Sequence, residues 1–168
     1  MDEFLALLKE HDIEILVNVR RWPMSRRYPN FNRDNLKEVL ESEGIRYVWL
    51  GESLGGYRRE GLGGDSPNVG WKSKGFRNYA DYALTEGFKA GLGELIRIAE
   101  MGKTVVMCAE KHYWRCHRRI ISDYLVSREL RVVHIIEKGK TEDHRLTEFA
   151  NIVEGSVIYP ARPHNGAV

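Results

Sequence analysis

The sequence predicts an α/β fold: a single three-layer domain with a small, mainly parallel sheet and flanking helices, Rossmann-like in arrangement. Short β-branched runs recur at 14–19, 45–50, 104–108 and 131–136, and helical patterns separate them. Strands alternating with helices imply βαβ units, with right-handed crossovers and parallel pairing. A chain of 168 residues with 42% hydrophobic and 30% charged content suits one domain, long enough to bury a core without disulfide staples. Residues 1–158 are assigned to that domain and 159–168 to a flexible C-terminal tail, loosened by Pro160 and Pro163.

The elements follow in order. Phe4, Leu5, Leu7 and Leu8 stand at helical spacing over residues 3–10. The run 14–19 is nearly continuous in apolar residues, as in a strand covered on both faces, and Pro23 stops any regular continuation. Asn32 or Asp34 can cap a helix containing Leu36, Val39 and Leu40, with Gly44 as its stop. Residues 45–50 form a second strand. The stretch 51–75 is too long and polar for a simple connection, so it is a functional or mobile loop. A helical pattern starts near Phe76, is interrupted near Gly87, and resumes through Leu92, Leu95 and Ile96 to Gly102. A third strand at 104–108, a helix over about 116–129, a fourth strand at 131–136 and one more helix near Thr147 complete the chain.

Composition narrows the class. Two cysteines make no disulfide framework, so a reducing, cytoplasmic setting is expected, and no apolar run is long enough for a membrane span. Twenty-six basic against 24 acidic residues give a net charge of +2, too small to imply nucleic-acid binding by itself. The distribution says more. Arg20, Arg21, Arg26, Arg27 and Arg33 form one cluster, Arg58 and Arg59 a second, and Arg115, Arg118 and Arg119 a third. Each follows a predicted parallel strand, and ligands of open α/β sheets bind at the carboxyl ends of the strands. Three clusters on one rim predict an anion pocket, arginine being suited to bidentate grip on phosphate. Trp22, Tyr28, Phe31, Tyr57 and Trp71 lie in the same loops, where they either stack on bases or pin the loops to the core.

The segment from Cys108 to Arg118 holds the chemistry-bearing residues. Cys108 ends the third strand, Glu110 follows it, and Cys116-His117 opens the next helix, whose stripe of His117, Ile121, Tyr124 and Leu125 turns His117 toward the sheet. A thiol in a first helical turn beside arginines has a lowered pKa, so Cys116 is the more activated cysteine, although free cysteine commonly just packs. Phosphatase-like or rhodanese-like loops of the Cys-x5-Arg kind would need arginine at 114; Trp114 stands there and Arg115 comes one residue late. Cys108, His112, Cys116 and His117 are metal-ligand types, but they match no common zinc spacing. Gly51-Glu52-Ser53-Leu54-Gly55-Gly56 differs from a nucleotide fingerprint in spacing and is not expected to open a helix. His11, His134, His144 and His164 read as structural or surface residues.

Val17-Asn18-Val19-Arg20 with Pro23, Ser25-Arg26-Arg27, Pro29 and Phe31-Asn32, then Leu54-Gly55-Gly56, then Met107-Cys108-Ala109-Glu110 with Cys116-His117-Arg118, and finally Val133-His134-Ile135 resemble the hallmarks of the domain of unknown function 488 family. The resemblance spans about residues 3–136. It implies a compact α/β domain with a parallel sheet and no firmly assigned activity. It also implies a signature set of Arg20, Ser25, Arg26, Arg27, Glu110, Cys116, His117 and Arg118, with Cys108 beside them. Family members usually carry aspartate where this chain has Asn18, which puts in question that residue's role as proton carrier or arginine anchor. They also usually have a strand before the first helix, so either a longer native chain or a sheet without that edge strand is expected.

The functional expectation is a protein that binds, and as an enzyme would process, a phosphate-bearing nucleotide or nucleic acid. Arg20, Ser25, Arg26, Arg27 and Arg118 hold the anion, and Glu110 and His117 act on protons or orientation, with Cys116 and Cys108 as the further catalytic candidates. The competing expectations are a non-catalytic nucleotide- or nucleic-acid-binding module and a Cys/His metal-binding protein. The sequence specifies no cofactor.

Overall fold

A computed structural model describes residues 1–162 of the chain. It is α/β, with a parallel sheet and helices interleaved along the chain. The elements are α1 (Asp2–Glu10), β1 (Ile15–Asn18), α2 (Arg33–Ser42), β2 (Arg46–Trp49), a one-turn α3 (Gly51–Leu54), α4 (Lys74–Tyr82), α5 (Glu86–Met101), β3 (Thr104–Met107), α6 (Arg118–Ser127), β4 (Val133–Glu137), β5 (Lys140–Asp143), β6 (Asn151–Val153) and β7 (Ser156–Ile158). Among the described residues the parallel sheet has three strands, in the order β2-β1-β3, with Leu16 beside Tyr47 and Val105.

The alternation of side chains along the central strand explains the packing. Ile15, Val17 and Val19 join one core with Phe88, Leu92, Leu95, Ile120, Ile121 and Tyr124, from α5 and α6. Leu16 faces the other way, into a second core with Leu8, Leu36, Leu40 and Tyr47. All four residues of β1 are buried, as a strand covered on both faces requires. Gly44, at φ +78°, ends α2 in the left-handed conformation that glycine adopts without strain. Ser73 and Thr85 cap α4 and α5 by accepting from Phe76 N and Phe88 N.

Four expectations are corrected. The run at 131–136 does not extend the parallel sheet: β4 pairs antiparallel with β5, because Gly139 at φ +73° turns the chain straight back. The expected helix near Thr147 is absent; that segment leads into the β6–β7 hairpin, whose turn residues Glu154 and Gly155 both have positive φ, as type I′ turns require. Gly51-Glu52-Ser53-Leu54 does form a helical turn at the end of β2. The helix expected from about 116 starts at Arg118, after a 3₁₀ turn over Tyr113–Arg115. Tyr159, the first residue of the expected tail, is fully buried; residues 163–168 of that tail lie outside the described residues.

A polar chain ties the two hairpins to α6. Asp123, fully buried, accepts from His144 Nε2 at 2.8 Å, from Thr147 N at 3.0 Å and from the Tyr159 hydroxyl at 2.8 Å. A carboxylate can only accept, so His144 carries its proton on Nε2 and its Nδ1 accepts from His134 Nε2, also at 2.8 Å. Tyr113 stacks flat on His134, ring centroids 3.5 Å apart. Asp123→Ala leaves three buried donors without their acceptor and should cost about 3–5 kcal/mol in urea unfolding.

Burial, the neighbouring His144 and then Arg118 push His134 down from 6.5 to about 3. A histidine depressed in the fold contributes its full stability above the unfolded value and loses it as pH falls toward the folded value. Between about pH 6.5 and 4, His134 should therefore add a slope of up to about 1.4 kcal/mol per pH unit to the stability curve. His134→Gln should remove that increment; an unchanged slope would refute the neutral buried histidine.

Candidate functional site

The carboxyl end of β1 builds the floor of the site. Asn18, fully buried, accepts from Arg20 N at 3.0 Å, an Asx turn that swings the chain off the sheet. The same Oδ1 accepts from Arg20 Nε at 3.1 Å, while Nδ2 donates to the Tyr47 hydroxyl at 2.8 Å. Asn18 thus anchors the arginine as an aspartate would, but an amide carries no charge and no titratable proton. Arg20 Nη2 donates to Phe31 O. Its partners are neutral oxygens, and among the described residues no carboxylate pairs with it. Burial pulls the Arg20 guanidinium below the ordinary arginine value.

Above this floor lies a groove of about 980 Å³. Arg20, Arg21, Arg58, Arg59, Arg115 and Lys74 line it, against Glu110 as its one carboxylate among the described residues. Ser25, Cys108, Cys116 and His117 line it as well, and Trp22, Tyr57 and Phe76 supply aromatic surface. Trp22 and Tyr57 stand 5.5 Å apart at the mouth, with the Arg21 guanidinium 5.2 Å from the Trp22 ring. Tyr57 is exposed and held at φ +59°, a conformation that costs a non-glycine residue about 1 kcal/mol or more.

The expected arginines divide. Arg26 and Arg27 are exposed outside the groove lining, Arg27 lying over the Tyr28 ring at 5.3 Å. Arg118 turns behind the Cys108–Cys116 loop and clamps it, donating to Glu110 O and Lys111 O. Arg33 lies over Trp49, and Arg119 reaches Thr147 Oγ1 and the Trp71 ring. Ser25 is placed at the wall, its Oγ accepting from Tyr28 N at 3.0 Å. Glu110 is exposed, and among the described residues its side chain makes no hydrogen bond to His117.

His117 is joined to the sulfurs instead. Its Nε2 lies 3.2 Å from Val19 O, which can only accept, so Nε2 carries a proton and Nδ1 is left to accept one from the thiol. That Nδ1 is 3.5 Å from Cys116 Sγ. Cys108 and Cys116 touch, sulfur to sulfur at 2.7 Å, and neither is in a disulfide. Cys116 Sγ also accepts from Arg118 N at 3.4 Å, and Cys108 Sγ from Glu110 N at 3.3 Å. The hydrogen bond from Cys108, and then His117, hold the Cys116 thiol below the usual range against the opposing effect of burial. Sharing that bond, with burial adding to it, pushes Cys108 up. The two sulfurs therefore differ in proton affinity, Cys116 the lower and Cys108 the higher. For the residues of the metal expectation, His112 stacks on Trp114 instead, and among the described residues no three His, Cys, Asp or Glu are grouped to hold a metal.

Two supports escaped the sequence reading. Asp81, buried, accepts from Leu62 N at 2.8 Å, Ser66 Oγ at 2.5 Å and Asn68 Nδ2 at 2.7 Å, which fastens the 51–75 loop carrying Arg58 and Arg59. Its sequence signal, an aspartate beside Tyr79 and Tyr82 in a helix, is too ordinary to single out. The second is the role of the glycine pair. A Cβ on Gly55 would lie 2.2 Å from Gly51 O and 2.6 Å from Arg21 Cβ, and one on Gly56 would lie 3.0 Å from His117 Nδ1.

A family model described as domain of unknown function DUF488 matches residues 1–125 of this chain. No curated protein and no solved structure matches it. The match takes in the groove and both cysteines, and stops short of the two C-terminal hairpins. Gly55→Ala should destabilise the protein by about 1–3 kcal/mol, because backbone must move to admit the methyl group. A variant that melts with the parent protein would contradict the close approach.

Proposed function

We propose, for a chain that belongs to the DUF488 family, that the groove binds a phosphate-bearing ligand of nucleotide type, either free or as the end of a single-stranded nucleic acid. The observation that carries this reading is Arg20: a buried guanidinium held by neutral oxygens at the floor of a groove with five further cationic walls. An uncompensated buried charge is unfavourable, and an anion entering the groove relieves it. The Trp22–Tyr57 pair at the mouth gives a base a surface to stack on, which a bare phosphate site does not need. His117 and the cysteines lie at the floor for chemistry, and Glu110 stands in the groove wall as the one acidic group. The two cores on opposite faces of β1 further support a three-layer, Rossmann-like reading, in which this groove occupies the usual ligand edge.

Arg59 is exposed and Arg115 likewise, so both can be replaced without touching the core. Titration of a nucleoside triphosphate and of a short single-stranded oligonucleotide should show Arg59→Ser/Arg115→Ser binding at least about tenfold more weakly. The salt slope of oligonucleotide binding should shrink by roughly 0.7 for each phosphate that is no longer neutralised. Asn18→Asp retains the acceptor for Arg20 while adding the missing charge, and should weaken both ligands. Unchanged affinities and slopes in these variants would remove the anion reading. Binding without any turnover, insensitive to His117→Ala, would leave a binding module instead of an enzyme.

A further inference from the structure

The sulfur pair offers chemistry that phosphate binding does not call on. Cys108 stands at the end of β3 and Cys116 just ahead of α6, eight residues apart in sequence but with their sulfurs in contact. A loop of this length closes readily, and sulfurs already 2.7 Å apart stand close to the roughly 2.05 Å of a disulfide bond. The two differ in surroundings: Cys116 Sγ accepts from Arg118 N and lies beside His117 Nδ1, which favours the thiolate there. Cys108 Sγ is met by the Glu110 backbone and its partner sulfur, which leaves Cys108 the sulfur that keeps its proton. That asymmetry is what a dithiol exchange centre requires, one sulfur to attack and a protonated neighbour to resolve. Both line the groove, so a ligand reaching the floor meets them.

We propose that Cys116 and Cys108 form a redox-active dithiol that exchanges with low-molecular-weight disulfides, preferring those bearing carboxylates. The preference rests on the anion-binding reading of the groove; the exchange itself does not. In the first step the Cys116 thiolate, its proton held on His117 Nδ1, attacks one sulfur of RS–SR. The Cys116–SR bond forms, the RS–SR bond breaks, and the departing RS⁻ takes the proton from His117. In the second step Cys108 gives its proton to water and attacks Cys116 Sγ. The Cys108–Cys116 bond forms, the Cys116–SR bond breaks, and the second RS⁻ is protonated by solvent. The substrate is reduced to two RSH and the protein dithiol is oxidised to a disulfide.

The test takes the full chain, reduced beforehand, and three symmetric disulfides: acidic glutathione disulfide, neutral bis(2-hydroxyethyl) disulfide and cationic cystamine. Intact mass should fall by two hydrogens, and a non-reducing digest should yield the Cys108 and Cys116 peptides joined. Cys108→Ser should stop at a mixed disulfide on Cys116, and Cys116→Ser should react at least about tenfold more slowly than the parent chain. A mixed disulfide accumulating on Cys108 in the parent chain, or Cys116→Ser reacting at the parental rate, would overturn the proposal. If neither variant folds, the linked peptides of the parent chain decide alone: their absence overturns it. A Cys108–Cys116 bond formed at equal rates with all three probes supports the dithiol and removes the anion preference. Intact nucleotide binding with no exchange removes only the dithiol.

Discussion

The carboxyl end of β1 is the constraint on which the site depends. Three segments hang from three residues there. Asn18 O receives Leu50 N from the end of β2, and Val19 O receives His117 from the start of α6. Arg20 O receives the Trp49 indole, and the Arg20 guanidinium reaches Phe31 O in the loop before α2. A three-stranded sheet makes this convergence unavoidable, because its central strand is flanked on both sides and its loops have one edge to share. The buried Asn18 side chain locks the geometry, using both its acceptor and its donor. Glycines then let the neighbours close in: a Cβ on Gly51 would sit 1.9 Å from Arg20 O.

How far the sequence reveals this follows from what each signal depends on. The parallel strands, the long helices and their stops are legible because periodicity and glycine are local properties. So is the neighbourhood of the site, since residues at the ends of parallel strands meet wherever the strands pair. The orientation of Arg118 and the Asp123–His144–His134 chain are not: Arg118 folds back on carbonyls of its own loop, and the buried polar chain takes its meaning from partners 10 to 36 residues away. The β4–β5 ribbon shows the same limit. The β4 residues Val133, Ile135 and Ile136 are β-branched like those of a sheet strand, and the Lys138-Gly139 turn is what makes a hairpin in place of a crossover.

Arginine clustering proves to be two phenomena. Arg20, Arg21, Arg58, Arg59 and Arg115 line one groove, Arg58 while also lying over the Tyr82 ring and donating to Gly55 O and Glu52 O. Arg33, Arg118 and Arg119 are instead spent on aromatic rings, loop carbonyls and the Thr147 hydroxyl. The guanidinium suits both uses, being a planar surface for an aromatic ring and a fork for several oxygens. Sequence order alone does not separate them. Position in the fold does: Arg33, Arg118 and Arg119 lie outside the groove lining, against indole rings or loop carbonyls, while Arg59 and Arg115 remain exposed at the groove.

The same charges connect the groove to the sulfurs beneath it. Arg20 interacts electrostatically with Cys108, and Arg118 stabilises the thiolate at Cys116 from behind the loop. A thiolate formed at Cys116 would be one anion on this floor, and a phosphate entering the groove would be a second. Two anions in one groove oppose each other, because like charges raise one another's proton affinity. Linkage makes the opposition reciprocal: whatever a bound phosphate does to the Cys116 thiolate, the thiolate does to phosphate affinity. Oxidation to the disulfide would remove that negative charge and leave the arginines to the ligand. Under the two proposals, occupancy of the groove and the state of the dithiol would be two readings of one electrostatic site, around a guanidinium that the fold buries without a carboxylate partner among the described residues.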